Sequence, residues 1–327
     1  MRLAFAWIAV LGLGLGGCDD GKHHLHPEAG TGPVWWRPAV GTAKDWDIQL
    51  ATPYELTMRS TMYDLELWAV TPAKTIDYGD GMPVQVPAGP LAGKIEELHA
   101  RDVKVVCHLE TGAIRLTDPD AKKFPGAAAA MVPDRPDPPD AGSVVGYSVD
   151  DNHLDVRFLD IRAASRPLWT KYMWKRFDLA QQIGCDGIDT DHNYSIYVDS
   201  MDRPISGFSI AVNEQVSWYQ EIAAQAHMRE ISVGMRNGYQ LPSLIDVAAP
   251  DFDFMFIDRC GEIGDCDMTR PFINLQRVVF AIDYVTSELG TPNFPAGICQ
   301  TQQRAQISEG LIKDDAISSA MRMQCTP

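Results

Sequence analysis

The chain is short of positive charge. It has 28 Lys and Arg against 44 Asp and Glu, a formal net charge of -16 over 327 residues. That balance argues against a nucleic-acid partner and suits a cationic or neutral one. Long apolar runs are also scarce. The one clear run, Leu3–Leu15, is too short to span a membrane comfortably. No cysteine pair has CxxC spacing, so zinc or thioredoxin-type chemistry is not expected. No Gly-rich phosphate loop follows the first strand-like run, which disfavours a doubly wound nucleotide-binding sheet, the second-choice fold. There is no internal repeat, and no cofactor is implied.

What is present begins with a targeting segment. Met1–Cys18 carries Arg2, an apolar stretch and then Leu15-Gly16-Gly17-Cys18. These last residues resemble a bacterial lipobox, in which the cysteine is lipidated after cleavage. An ordinary secretory signal is the plainer alternative. Residues 19–33 form a polar tether rich in His, Gly and Pro, including Lys22-His23-His24-Leu25-His26. The expectation is an exported bacterial protein, lipid-anchored through Cys18 or secreted, with no other membrane contact. Residues 34–327 are then one domain, and nothing in them demands more than a monomer. In an oxidising compartment cysteines should pair. Cys260 with Cys266 and Cys299 with Cys325 are the expected disulfides. Cys107 and Cys185 lie in apolar runs, and either a bond or two buried thiols fits them.

Eight strand-like runs are expected: Trp46–Ala51, Met62–Leu67, Val103–Leu109, Val156–Ile161, Cys185–Thr190, Ile231–Met235, Phe252–Ile257 and Val278–Tyr284. Several are continuously apolar, as buried parallel strands should be. Helical patterns fall between them, at Leu91–Arg101, Pro167–Ile183, Ile210–Arg229 and Leu241–Ala248, and Gln302–Met323 should close the chain as a helix. The alternation predicts an α/β fold, an irregular (β/α)8 barrel of the TIM type. Thr75–Pro90 is one insertion. Asp118–Asn152, rich in Pro and Asp, is a long rim loop, a lid or cleft wall on one reading and an unstructured insertion on the other.

Barrel active sites lie at the carboxyl ends of the strands. The segment Gly184-Cys185-Asp186-Gly187-Ile188-Asp189-Thr190-Asp191-His192 ends a buried strand in acid, with Asp189 and Asp191 on one face. Other strand ends offer Asp64, Glu66, His108, Glu110, Asp160, Arg236, Asn237, Asp258, Arg259, Asp283 and Tyr284. Converging carboxylates beside arginine suit hydrolysis of a sugar polymer, where one acid protonates the leaving oxygen and a carboxylate acts as nucleophile or base. Asp191, Asp258 and Asp189 are the candidate catalytic residues. Asp64, Glu66, Glu110, His192, Arg236, Asn237, Trp36 and Asp283 are candidates for binding substrate. An Asp-x-Asp-His run can also hold a divalent cation, so a metal-dependent hydrolase built on Asp189, Asp191, His192 and His108 is a weaker alternative.

The motifs in order are Trp35-Trp36-Arg37-Pro38 with Gly41-Thr42 and Trp46, Tyr63-Asp64-Leu65-Glu66-Leu67, Lys104-Val105-Val106-Cys107 with Gly112, Phe158-Leu159-Asp160-Ile161-Arg162, Gly184-Cys185-Asp186-Gly187, Ser232-Val233-Gly234 with Asn237, Asp253-Phe254 and Cys260…Cys266. This series resembles glycoside hydrolase family 114. The resemblance implies a TIM-type barrel and endo-alpha-1,4-polygalactosaminidase activity on an amino-sugar polysaccharide such as galactosaminogalactan. The family's Val-Glu-Pro-Asp-Asn is matched here by Ile188, Asp189, Thr190, Asp191 and His192. Its Asn-Glu-Gln-Cys is matched by Ile257, Asp258, Arg259 and Cys260. Two glutamates are thus shortened to Asp189 and Asp258, and a family acid after the third strand is replaced by Arg115. A retraction of about one ångström costs roughly a hundredfold in rate. The departures leave open a catalytically impaired, glycan-binding lipoprotein, with Trp35, Trp36, Trp46, Trp68 and Tyr194 as candidate sugar-stacking aromatics, while barrel packing is the favoured role for Trp46, Trp169, Trp174 and Trp218.

Overall fold

The computed structural model describes residues 34–41, 45–57, 60–130, 141–150, 153–199, 201–238, 242–287, 290 and 292–325. Cys18, the tether and its histidines lie outside these, as does the middle of the rim loop. The chain divides into a unit ending at Val34 and one spanning Trp35–Pro327. The second unit holds the fold.

Fourteen strands occur among the described residues. They are β1 (Trp46–Gln49), β2 (Met62–Glu66), β3 (Lys74–Ile76), β4 (Val84–Val86), β5 (Lys104–Glu110), β6 (Ala113–Arg115), β7 (Val145–Ser148), β8 (Val156–Leu159), β9 (Gly187–Asp191), β10 (Ser232–Arg236), β11 (Phe254–Asp258), β12 (Val279–Tyr284), β13 (Glu309–Lys313) and β14 (Arg322–Cys325). Nine make one sheet, in the order β1-β2-β5-β9-β10-β11-β12-β13-β14. All neighbours pair in parallel except β14, which runs antiparallel to β13. The sheet is a nearly closed (β/α)8-type barrel. Side chains bridge the seam between its ends. Trp46 Nε1 donates to the Glu309 carbonyl at 3.0 Å, Lys313 Nζ to Asp47 at 2.8 Å, and Arg322 Nη2 to the Trp46 carbonyl at 2.8 Å.

Two expected elements are corrected. Val156–Ile161 is not a barrel strand. Its core, β8, lies in a separate three-stranded antiparallel sheet, β6-β8-β7. The barrel's eighth strand is instead β13, inside the segment expected to be a closing helix. The helix found there spans Pro295–Arg304 and shares only Gln302–Arg304 with the expected one. Gly310 lies so close to Gln302 that no Cβ fits, and β12 and β14 supply ladders on both sides of β13, so tertiary pairing overrides local helical preference. The helices Arg166–Ile183, Val212–His227 and Pro242–Ala248 stand as expected, with Pro167 in a first turn.

Side-chain alternation separates two cores. Trp46, Ile48, Met62, Val106, Phe254, Phe256, Phe280, Ile282 and Leu311 fill the barrel interior. Trp46 and Phe280 have ring centroids 4.8 Å apart, and Phe256 and Phe280 stack at 5.1 Å. The opposite faces of the strands pack on the helices through Trp169, Phe177, Trp218 and Ile222. Cys107 joins Cys185, Cys260 joins Cys266, and Cys299 joins Cys325. The described parts of the rim loop are packed rather than loose. Phe124, Val144 and Val145 are buried, and Asp118 and Asp120 pair with buried Arg176.

Candidate active site

The barrel's alternation puts Asp64 and Glu66, His108 and Glu110, Asp189 and Asp191, Arg236, and Asp258 on the face that carries the interior aromatics. Register keeps them level. Glu66 pairs with His108, His108 with Asp189, and Glu110 with Asp191. Three of the strands then stop in the same way. His192, Asn237 and Arg259 directly follow Asp191, Arg236 and Asp258, and their φ values are 44°, 58° and 59°. A left-handed residue without glycine is strained by roughly 1 kcal/mol or more. Each such turn bends the chain away so that the preceding side chain stays aimed into the mouth. Gly112 lies so close to the His192 carbonyl that a Cβ would collide, which locks the turn after β5 onto the turn after β9.

Arg236 is the hub. It is 2% exposed and holds Asp258 with two fingers, Nε to Oδ2 and Nη2 to Oδ1, both at 2.9 Å. A third nitrogen, Nη1, donates to Asp189. Nε also stands 3.7 Å from Asp191, and Nη1 4.0 Å from Asp64. Asp258 accepts further bonds from Asn237 Nδ2 at 2.9 Å and Tyr284 OH at 3.0 Å. His108 Nδ1 lies 2.9 Å from Asp189, and its Nε2 is 3.8 Å from Asp191. Arg115 donates to Glu110 at 2.8 Å.

These contacts set the charges. Burial alone would raise Asp191, but His192, Arg236 and His108 outweigh it and hold the carboxyl well below the usual range. Asp189 is also held low against its burial, by Arg236 and by the His108 hydrogen bond. Asp64 goes the other way, raised by burial and by the Asp189 charge. Neither Asp64 oxygen has a hydrogen-bond partner. His108 is pushed up to about 10, because its bond to Asp189 outweighs the opposing effect of burial. Glu66 rises to about 7 through burial and the nearby Glu110. Glu110 itself is held low, with Arg115 and His108 outweighing burial.

Exposure sorts the carboxylates. The side chains of Asp191 and Asp258 are 15% and 16% exposed, whereas those of Asp64 and Asp189 are 0%. Asp191, Asp258, His192 and Glu66 therefore face the mouth, with Asp64 and Asp189 beneath them. Ligand atoms of Asp64, His108 and Asp189 come within 4.8 Å of one another. The Arg236 guanidinium and a protonated His108 already answer the carboxylate charge there, so we read an ion-pair cluster rather than a cation site.

Several expected residues sit elsewhere. Asp283 is on the opposite face of β12 from Phe280, Ile282 and Tyr284. It accepts from the Gly261 and Glu262 amides and from Gln302, a structural role. Trp36 packs on Phe254 at the base of the barrel, 6.2 Å between centroids. Beside it Trp35 stacks on His227, and Arg37 binds Asp253. Asp160 is bound by Arg162 and Ser165 outside the barrel. Among the five candidate stacking aromatics, Tyr194 stands beside a mouth residue, 6.3 Å from His192, whereas Trp46 is buried in the barrel interior and Trp68 packs beside Arg176. Tyr284, which braces Asp258, was not among the expected binding residues. Its parity with Phe280 and Ile282 was the available signal.

A family model described as Glycoside-hydrolase family GH114 matches residues 26–326. No curated protein matches. Among solved structures, the chain is similar to the Aspergillus fumigatus Ega3 complex with galactosamine at 22% identity. The match covers 89% of this chain and 97% of that one, with a TM-score of 0.63. It is also similar to a structure of the pneumococcal virulence factor StrH, described for N-glycan recognition and hydrolysis. There the identity is 10%, the coverage 85% and 80%, and the TM-score 0.46.

Proposed function

This chain belongs to glycoside-hydrolase family GH114, and from that premise we propose that it hydrolyses an amino-sugar-containing polysaccharide of the galactosaminogalactan type. The observation that carries this reading is Asp191. It is an ionised, partly exposed carboxylate at the end of a barrel strand, with Asp258 across Arg236 from it. Asp191 attacks C1 of the sugar, and Asp189 and His108 fix the charge beneath it. Asp258, clamped by Arg236, Asn237 and Tyr284, supplies the second negative wall of the cleft. A positively charged amino sugar would be drawn to that wall, and the galactosamine bound to Ega3 supports the choice of substrate.

The test is release of oligosaccharides from partly deacetylated galactosaminogalactan by the full chain, wild type beside Asp191→Asn. Cleavage by the wild type alone is expected. Equal cleavage by the variant removes Asp191 from the reaction. Tight binding without cleavage by the wild type marks a glycan-binding protein, the reading that the clamped Asp258 favours.

The same reading places the protein outside the cytoplasm, as one catalytic domain behind a lipid-anchored tether. Three disulfides and the Met1–Cys18 segment support this. Loss of membrane attachment in Cys18→Ala is the expected result; unchanged attachment refutes the anchor.

A further inference from the structure

Cleavage of a glycosidic bond needs a proton for the leaving oxygen as well as a carboxylate at C1. Asp258 is poorly placed to give one. Each of its oxygens already accepts two hydrogen bonds, from Arg236 Nη2 and Tyr284 on one side and from Arg236 Nε and Asn237 on the other. A proton on either oxygen would have to displace one of those donors. Asp189 is buried beneath the mouth, and Glu110 is 1% exposed and paired with Arg115.

Glu66 differs from all of these. It ends β2 on the same face as Asp64 and is partly exposed. Among the described residues its carboxyl has no cation within ion-pair distance and no hydrogen-bond donor. It stands two strands from Asp191 on one side, as Asp258 does on the other. At about 4.8 Å per strand, the two backbones are roughly 10 Å apart with both side chains converging. Glutamate also reaches one methylene farther than the aspartate at position 258.

We propose that Glu66 is the proton donor of the reaction. This rests on the reading of Asp191 above. In the first step the Glu66 O–H bond breaks, and its proton goes to the glycosidic oxygen. The bond from that oxygen to C1 breaks with the electron pair leaving on the oxygen, while an Asp191 oxygen bonds to C1. In the second step a water oxygen bonds to C1, the ester to Asp191 breaks, and the water's proton returns to Glu66. The charged and titratable groups around Glu66 are Glu110 and His108 on β5, Arg115 on β6, Arg176 on the Arg166–Ile183 helix, and Tyr54 before β2. Burial and Glu110 outweigh the cations and raise Glu66 to about 7, so it holds a proton near neutrality.

The experiment compares wild type, Glu66→Gln and Asp258→Asn on two substrates: galactosaminogalactan, and an α-galactosamino-oligosaccharyl fluoride whose leaving group needs no proton. For Glu66→Gln the polymer rate should fall about 100-fold to 10,000-fold. The single-turnover burst of fluoride should persist, and azide should restore turnover. Polymer cleavage by Glu66→Gln at the wild-type rate overturns the proposal. So does this selective pattern appearing in Asp258→Asn instead. A carbon-13 titration of the Glu66 carboxyl, assigned by its absence in Glu66→Gln, should have a midpoint near 7. A midpoint in the ordinary glutamate range overturns the proposal whatever the substrate. Wild type that cleaves neither substrate overturns the underlying function, and the donor with it. That outcome differs from an active wild type with an unaffected Glu66 variant.

Discussion

Replacing Arg236 by methionine keeps much of the side-chain volume and removes the one cation that touches four carboxylates. The guanidinium holds Asp258 with two bonds of 2.9 Å, donates to Asp189, and lies 3.7 Å from Asp191 and 4.0 Å from Asp64. Asp189 is fully buried. Removing one partner of a buried pair typically destabilises by about 3–5 kcal/mol. At about 2 °C per kcal/mol for a domain this large, the melting temperature should fall about 6–10 °C near pH 7.5. The pH dependence follows from the carboxyl shifts. Asp189 and Asp191 have folded pKa values below their unfolded ones. Their stabilisation is therefore present above the unfolded carboxyl range and is lost as pH falls through the folded values. Without Arg236, burial dominates at Asp189 and favours its protonated form. The deficit of Arg236→Met should be largest at pH 7.5 and at least halved at pH 4.5. Calorimetric scans of both proteins at the two pH values decide this. An equal deficit at both, or one below about 1 kcal/mol at pH 7.5, refutes the hub.

Three further outcomes are expected. Gly234→Ala drives a Cβ into the Phe254 ring and should destabilise by about 1–3 kcal/mol in urea unfolding; a neutral result would mean the barrel interior is looser than its packing indicates. Cys107→Ser with Cys185→Ser opens a bond spanning 78 residues, and should lower stability by about 4 kcal/mol; an unchanged unfolding midpoint contradicts this. Glu66→Gln should stabilise the protein relative to wild type by up to about 3 kcal/mol at pH 8 and hardly at all at pH 4.5. A raised carboxyl pKa loses stability as pH climbs from the unfolded value to the folded one, so equal stability at both pH values counts against it.

Seven of the eight expected strand runs overlap barrel strands, with boundaries within about two residues. The reason is physical. β11 and β12 are covered on both faces, so nearly every residue is apolar, and β5 carries the same signal in its Val105-Val106-Cys107 centre. β13 escaped because its ends are Glu309 and Lys313, both buried, whose partners Gly41 and Asp47 lie more than two hundred residues away. With charged ends, a short apolar centre and helix formers upstream, it imitates a helix. β8 looks like any other strand, and no local pattern says which sheet a strand will join. The exclusion of Asp283 was legible from parity with Phe280 and Ile282. The left-handed turns at His192, Asn237 and Arg259 were not, because none of them is glycine. The base position of Trp36 was equally hidden, since an aromatic beside proline suits either end of a barrel.

The aromatic filling of the barrel has a consequence for traffic. Trp46, Phe254, Phe256 and Phe280 close the interior below the carboxylates, so the site is a blind well rather than a tunnel. A polymer cannot be threaded through it. If Asp191 acts as proposed, a sugar chain lies across the opening and dips one linkage toward it, and both fragments leave by the side on which the chain arrived. Attack in mid-chain then requires no free end.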